Sequence, residues 1–343
     1  MSVSRSKTLV WSHLKALFEG SDQDAEAEAE ARLAPGFTLN VTYPYQRPLE
    51  KADYVPLFRN ALTTAFPDLG RRTEILVGSE TDGADWVGTY GQYLGRFRLP
   101  WGGIAPSHRL ASLRFGELWR VDGDRITECY MFLDMMDLLH QAGIFPVGRG
   151  LGAVSMVSSP QPQDGLQFAD QDPAESQETH DLVVDLIERL MSFDGQNVPA
   201  MGMDQVFHKN FMWYGPGGIG TTRGLDGFAE HHQVPFLRAF PNRRGANHIG
   251  RIAEGPYAAS AGWPSLWATH SGGGWLGLAA THKDITMRVM DIWRREGDKF
   301  EENWVMIDLP ELFDQMGIDI YHRLGDLGAL ADDVGDPRLS LAS

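Results

Sequence analysis

The residues of this 343-residue chain best placed for chemistry are carboxylates standing where a strand pattern leaves only apolar neighbours. Residues 285–294 read as a strand, and side chains in a strand alternate between its two faces. Ile285, Met287, Val289, Asp291 and Trp293 share one face; Thr286, Arg288, Met290, Ile292 and Arg294 share the other. Asp291 therefore sits in an apolar row, where desolvation raises a carboxyl pKa and suits it to proton transfer. Residues 111–119 repeat the pattern as Ala111, Leu113, Phe115, Glu117 and Trp119. The strand that follows carries Glu302, Trp304, Met306 and Asp308 on one face, matched earlier by Glu128, Tyr130, Phe132 and Asp134. Carboxylates on neighbouring strands beside an aromatic wall could share one proton and polarise a carbonyl. Two plainer readings compete. Asp308 and Asp134 could cap the helices that follow them, and Asp291 and Glu117 could pair with arginines on an exposed face.

Histidines supply candidate proton donors. His208, His231, His232, His248, His270 and His282 fall in the second half, with His322 beyond. Only His282 has a counterpart, His108, and each precedes a long strand by a tight turn. The pair is a candidate for proton transfer or, more simply, a turn residue facing water. His231 and His232 share a predicted helix with Phe228, Phe236 and Phe240, so one of them is expected to face inward. No histidine pair has a metal-binding spacing and Cys129 is the only cysteine, so no metal site is expected. The segment Trp213-Tyr214-Gly215-Pro216-Gly217-Gly218 lacks the Lys-Ser/Thr ending of a phosphate-binding loop. It reads as a loop bringing two aromatics to a cavity rim, with Trp263, Trp267 and Trp275 as further walls or as core.

The elements that must position these residues occur twice. A shift of 174 places Phe37 on Phe211, Ala65-Phe66-Pro67 on Ala239-Phe240-Pro241, Trp101 on Trp275, and His108 on His282. It also places Arg114 on Arg288, Trp119-Arg120 on Trp293-Arg294, Asp134 on Asp308 and Gln141 on Gln315. So long a period marks duplicated domains rather than a solenoid. Each copy reads as a helix (6–19; 179–193), a short aromatic strand (37–43; 211–214), a second helix (50–66; 224–240), several strands, then a short helix after Asp134 or Asp308. Hairpin turns are expected at Asp122-Gly123-Asp124 and Glu296-Gly297-Asp298. The expected domains are 1–145 and 179–323, with a polar linker 146–178 and a flexible tail 324–343. This element order gives an α+β fold, with helices on one face of a curved, mostly antiparallel sheet.

Composition sets outer limits. A net charge of −16 without clustered Lys or Arg argues against nucleic acid as a partner. No apolar run is long enough to span a bilayer. The N-terminus shows no apolar segment of the kind a signal peptide needs, and one cysteine fits a reducing cytoplasm.

The second copy, from FMWYGPGGIG through MRVMDIWRREGDKFEENWVMIDLPELFDQMG, resembles SnoaL-like polyketide cyclases of the NTF2-like superfamily. The echo is sharpest in the strand–hairpin–strand ending: Arg, an acid, a Gly turn, Glu-x-Trp, then Asp and Gln-x-Gly. The resemblance covers residues 180–320 and, more weakly, 5–145. It implies two tandem cone-shaped domains, each enclosing one deep pocket, that form an internal pseudo-dimer or a homo-oligomer. It further implies acid–base chemistry without a cofactor, with Asp308, and Asp134 in the weaker copy, at the family's catalytic position. The expected activity is that of a lyase, isomerase or cyclase acting on a small carbonyl compound in the second copy. A hydrolase on the same carboxylates and a non-catalytic small-molecule binder are the alternatives. The catalytic candidates are Asp308, Asp291, His282, His248 and His270; the substrate-binding candidates are Trp213, Tyr214, His232, Trp263, Arg288 and Trp304. Asp134, Glu117, His108 and Tyr130 are the first-domain equivalents.

Overall fold

The computed structural model describes residues 3–45, 47–148, 150–193 and 198–326. The chain forms two compact units. Of the described residues, the first comprises those up to Ile144 with Asp164–Asp170 and 321–326; the second comprises those of Phe145–Gln163 and Gln171–Ile320.

The first unit opens with helices α1 (Val3–Glu19) and α2 (Asp22–Arg32) and strand β1 (Leu33–Val41). Short β2 (Leu49–Glu50) leads into α3 (Lys51–Asp53), a π-helical stretch Tyr54–Asn60, and α4 (Ala61–Ala65). Strands β3 (Gly70–Thr81), β4 (Ala84–Arg96), β5 (Leu110–Asp122) and β6 (Arg125–Leu133) form an antiparallel meander, closed by α5 (Met135–Gln141). β1 then pairs parallel to β6, giving the order β2-β1-β6-β5-β4-β3. Val10, Leu14 and Leu17 of α1 are buried, a stripe at three- and four-residue spacing. α2 was not anticipated. Its alternating Glu and Ala provide no apolar stripe beyond Ala25 and Ala29, and a capping box at Ser21 starts it.

The second unit repeats the plan. It has α6 (Pro173–Met191), β7 (Phe207–Tyr214), β8 (Thr222–Arg223), α7 (Gly224–Phe228), a π-helical stretch Ala229–Gln233, and α8 (Val234–Ala239). β9 (Arg244–Gly245), β10 (His248–Glu254), β11 (Tyr257–Thr269), β12 (Asp284–Glu296), β13 (Lys299–Ile307) and α9 (Leu309–Gln315) follow, while α10 (Ile320–Asp326) belongs to the first unit from Tyr321 on. The sheet order is β10-β11-β12-β13-β7-β8, with β7 parallel to β13 and β9 beside β11. The expected α+β architecture is thus present in both units, and the turns at Gly123 and Gly297 adopt the positive φ that glycine tolerates.

Residues 146–178 are not a free tether. Ala153 bridges to Thr221, the Trp304 indole donates to the Ser158 carbonyl at 2.8 Å, and Gln161 N donates to Glu302 at 3.1 Å. Further on, Gly165 and Gln167 pair with Leu76 on edge strand β3, and α6 already begins at Pro173. Of the expected tail, residues 324–326 belong to α10, and 327–343 lie outside the described residues. Among the described residues, no helix is long and apolar enough to cross a membrane.

Candidate active site

Between α6, the helical run 224–239 and the concave face of its sheet, the second unit keeps a cavity of ≈ 140 Å³. β12 contributes Met287, Val289, Asp291 and Trp293, the alternating row expected from its sequence. β7 contributes Trp213, and the helical run contributes Phe228, His232, Gln233 and Phe236. β13 contributes Asn303, Val305 and Ile307, not Glu302, Trp304 or Asp308.

That last point corrects the expected pairing of carboxylates. A regular hairpin continuing from Glu296 opposite Lys299 would bring Trp304 opposite Asp291. A β-bulge between Arg294 and Arg295 shifts the register by one, so Val305 lies opposite Asp291 and Ile292 opposite Trp304. A one-residue slip exchanges the two faces of a strand. Glu302, Trp304, Met306 and Asp308 therefore look away from the cavity. The first unit has the same bulge between Arg120 and Val121, which puts Met131 rather than Tyr130 opposite Glu117.

Asp291 is half-buried, and Asn303 Nδ2 donates to its Oδ1 at 3.3 Å while also reaching the Ile292 carbonyl at 3.1 Å. Burial pushes the Asp291 pKa up to about 7, and the Asn303 hydrogen bond holds it down in part. His232 stacks on Trp213 with ring centres 4.0 Å apart. Burial drives its pKa down to about 3, so the ring is neutral, and its buried Nδ1 has no hydrogen-bond partner among the described residues. The Trp293 indole N–H is likewise buried without an acceptor there. Arg243 lines the cavity as well.

The other candidates lie elsewhere. Asp308 is buried and caps α9, and it accepts from Arg288 Nη1 at 3.2 Å. Arg288 in turn lies over the Trp263 ring at 4.4 Å. Asp134 likewise caps α5 and is paired with buried Arg114. Tyr214 stacks on Trp304, and its hydroxyl donates to Glu302 at 3.5 Å, on the outer face of the sheet. His270 is buried against Phe240, its Nδ1 3.1 Å from the Thr281 hydroxyl, outside the cavity lining. His248 is exposed on edge strand β10, 3.2 Å from the Ser260 hydroxyl. His282 and His108 are exposed turn residues with φ of 56° and 55°. Tyr130 donates to Glu128 at 2.7 Å.

In the first unit an ion pair occupies the matching interior. Glu117, fully buried, receives two hydrogen bonds from Arg71 at 2.7 and 2.8 Å, and others from Thr89 and the Trp119 indole. Arg71 lies 3.8 Å from the Phe115 ring centre. Where the first unit has Arg71, Phe115, Phe58 and Cys129, the second has Gly245, Val289, His232 and Asn303. Smaller side chains at the first two positions leave the space open; the last two bring polar groups to it. Asn303, Gln233 and Arg243 were not anticipated as cavity residues, because an Asn in a strand and an Arg before a short strand carry no pattern of their own. The differences between the copies were the available signal. Among the described residues, no group of three or more His, Cys, Asp or Glu side chains is gathered as a metal site.

The family model for SnoaL-like polyketide cyclases matches residues 12–142 and again 186–316. Among solved structures, AclR from Streptomyces galilaeus is 20% identical with a TM-score of 0.35, over 41% of this chain and 98% of its own. IdmH from Streptomyces antibioticus is 18% identical with a TM-score of 0.33, over 39% of this chain and 97% of its own. An NTF2-like protein from Burkholderia thailandensis is 21% identical with a TM-score of 0.31, over 40% of this chain and 95% of its own. No curated protein matches the chain.

Proposed function

The chain belongs to the SnoaL-like polyketide cyclase family in two tandem copies, and from that premise we propose that its second unit is a cofactor-independent acid–base enzyme acting on a small carbonyl compound. The observation that carries this reading is Asp291, a carboxyl with pKa about 7 set in a mostly apolar cavity wall and oriented by Asn303. A group poised near the working pH both accepts and returns protons efficiently. As a carboxylate, Asp291 would take a proton from the carbon beside the substrate carbonyl. The resulting enolate would attack a second carbonyl carbon to close a ring, or expel a β-leaving group that takes up the proton as a C=C bond forms, or be reprotonated at the γ carbon so that a conjugated double bond migrates. The protonated Asp291 would then return that proton to the alkoxide or carbon. Neutral His232 and the Trp293 N–H are among the groups available to hydrogen-bond a developing oxyanion. Asp308 is released from this role, because Arg288 and the α9 N-terminus already occupy its oxygens.

The test is a metabolite screen with the native protein and Asp291→Asn. The expected loss is about 10²–10⁴-fold in kcat, with Asp308→Asn affecting stability instead. Turnover that survives Asp291→Asn removes Asp291 from the mechanism. Ligand retention without turnover in the native protein favours a binding protein.

A further inference from the structure

We propose that Arg243 anchors an anionic group, so that the cavity of the second unit takes a small, mostly apolar carboxylic acid in its ionised form. This deepens the acid–base reading and rests on it for the reaction, but not for the binding.

The polar inventory of the cavity wall isolates Arg243. Asp291 is engaged by Asn303, and Gln233 Nε2 contacts the Met201 sulfur at 3.6 Å. Arg243 donates one hydrogen bond, from Nη2 to the Leu190 carbonyl, and lies 5.4 Å from the centre of the Phe193 ring. Among the described residues it has no carboxylate partner. Several buried or half-buried arginines do have one: Arg59 meets Asp22, Arg71 meets Glu117, Arg114 meets Asp134, Arg294 meets Glu302 and Arg295 meets Glu175. A guanidinium withdrawn from water without a counter-charge is costly, and burial lowers the Arg243 pKa to about 10. With most of its five N–H donors unused, its planar fork matches a carboxylate in two parallel hydrogen bonds.

Charge and size agree on the ligand. The chain carries a net −16, yet no acidic residue occurs between Glu230 and Glu254, a stretch holding Arg238, Arg243, Arg244 and Arg251. The same stretch supplies the cavity-wall residues His232, Gln233, Phe236 and Leu237. Of these arginines Arg243 lines the cavity, and its positive charge draws anions to this wall. The first copy has Leu69 at the position matching Arg243, and its arginine at 71 is consumed internally by Glu117. A volume of ≈ 140 Å³ is close to the roughly 150 Å³ known to accept benzene. The apolar body of the ligand is therefore about one ring or a short branched chain.

Binding of benzoate, phenylacetate and isobutyrate, each beside its amide and alcohol, is to be measured by calorimetry on the full-length protein. Quenching of tryptophan fluorescence provides the second readout, since Trp213 and Trp293 line the cavity. The expected result is at least one carboxylate bound ten-fold or more tighter than its neutral analogues. Arg243→Gln should abolish that preference, leave neutral ligands within about two-fold, and be partly rescued by Arg243→Lys. Failure of every carboxylate to bind, neutral analogues binding equally well, or an unchanged preference in Arg243→Gln each overturns the proposal. Asp291→Asn separates the two readings: it should remove turnover while the preference for carboxylates persists. Persistence of both turnover and preference would overturn the acid–base reading and leave the anion site standing.

Discussion

Asp291 and Asp308 show how little residue type decides. Asp291 stands midway along β12 and Asp308 just past the end of β13, where it matches the family's terminal pattern, yet only Asp291 faces the cavity. The Asp291 environment also sets a linkage of known sign. Its carboxyl would lose its proton near the ordinary value of 3.8 in the unfolded chain but holds it to about 7 in the folded one. The unfolded state therefore binds fewer protons across this window, and stability falls as pH rises from about 4 to about 7. Asp291→Asn should accordingly raise the unfolding temperature of the second unit by a few degrees at pH 8 and hardly at all at pH 4, measured by thermal melts at both. Asn303 pulls the other way, since its hydrogen bond favours the charged carboxylate. Asn303→Ala should shift the acidic limb of the pH–rate profile upward, because loss of that bond raises the Asp291 pKa further. An unmoved limb would detach Asn303 from the titrating group. None of this partnership was legible from the strand pattern, which indicated that Asp291 faces inward but not what faces it.

At the scale of elements, several features common to both copies tie helix to sheet. Gln315 accepts from Thr286 N at 2.7 Å and donates to the Thr286 carbonyl at 3.0 Å, tying α9 to β12. Gln141 does the same with Ser112 at 2.8 and 2.7 Å, tying α5 to β5. Together with the Asp caps and their arginines, these bonds hold the last helix against the sheet in each unit. Gln141→Ala and Gln315→Ala should each destabilise their own unit by about 1–3 kcal/mol through the backbone groups left unpaired. Chemical denaturation would read this out, with turnover per folded molecule retained well below the melting point. The shared bulge belongs here too. It lies beside ordinary residues, Thr127 and Glu301, rather than a glycine, which is why the hairpin turns were readable and the register beyond them was not.

Across the whole chain, the two copies use the same part of their interiors differently. The Arg71–Glu117 pair occupies in the first unit the place that stays open in the second, and its hydrogen bonds are complete. Glu117→Gln should therefore leave turnover unchanged. Arg71→Met, which strands a buried carboxylate, should destabilise the first unit by about 3–5 kcal/mol. A proportional loss of kcat in folded Glu117→Gln protein would restore the first unit as a second active site. What the sequence by itself determined was the repeat, the α+β order of elements, the turns and the inward row of β12. These follow from periodicity and local turn chemistry, which act over a few residues. Tertiary structure alone decided which carboxylate meets the cavity, which histidine loses its water, and which arginine goes without a counter-charge. Those outcomes depend on a one-residue bulge and on side-chain volumes brought together from distant parts of the chain, and burial is a property of such assemblies rather than of any segment.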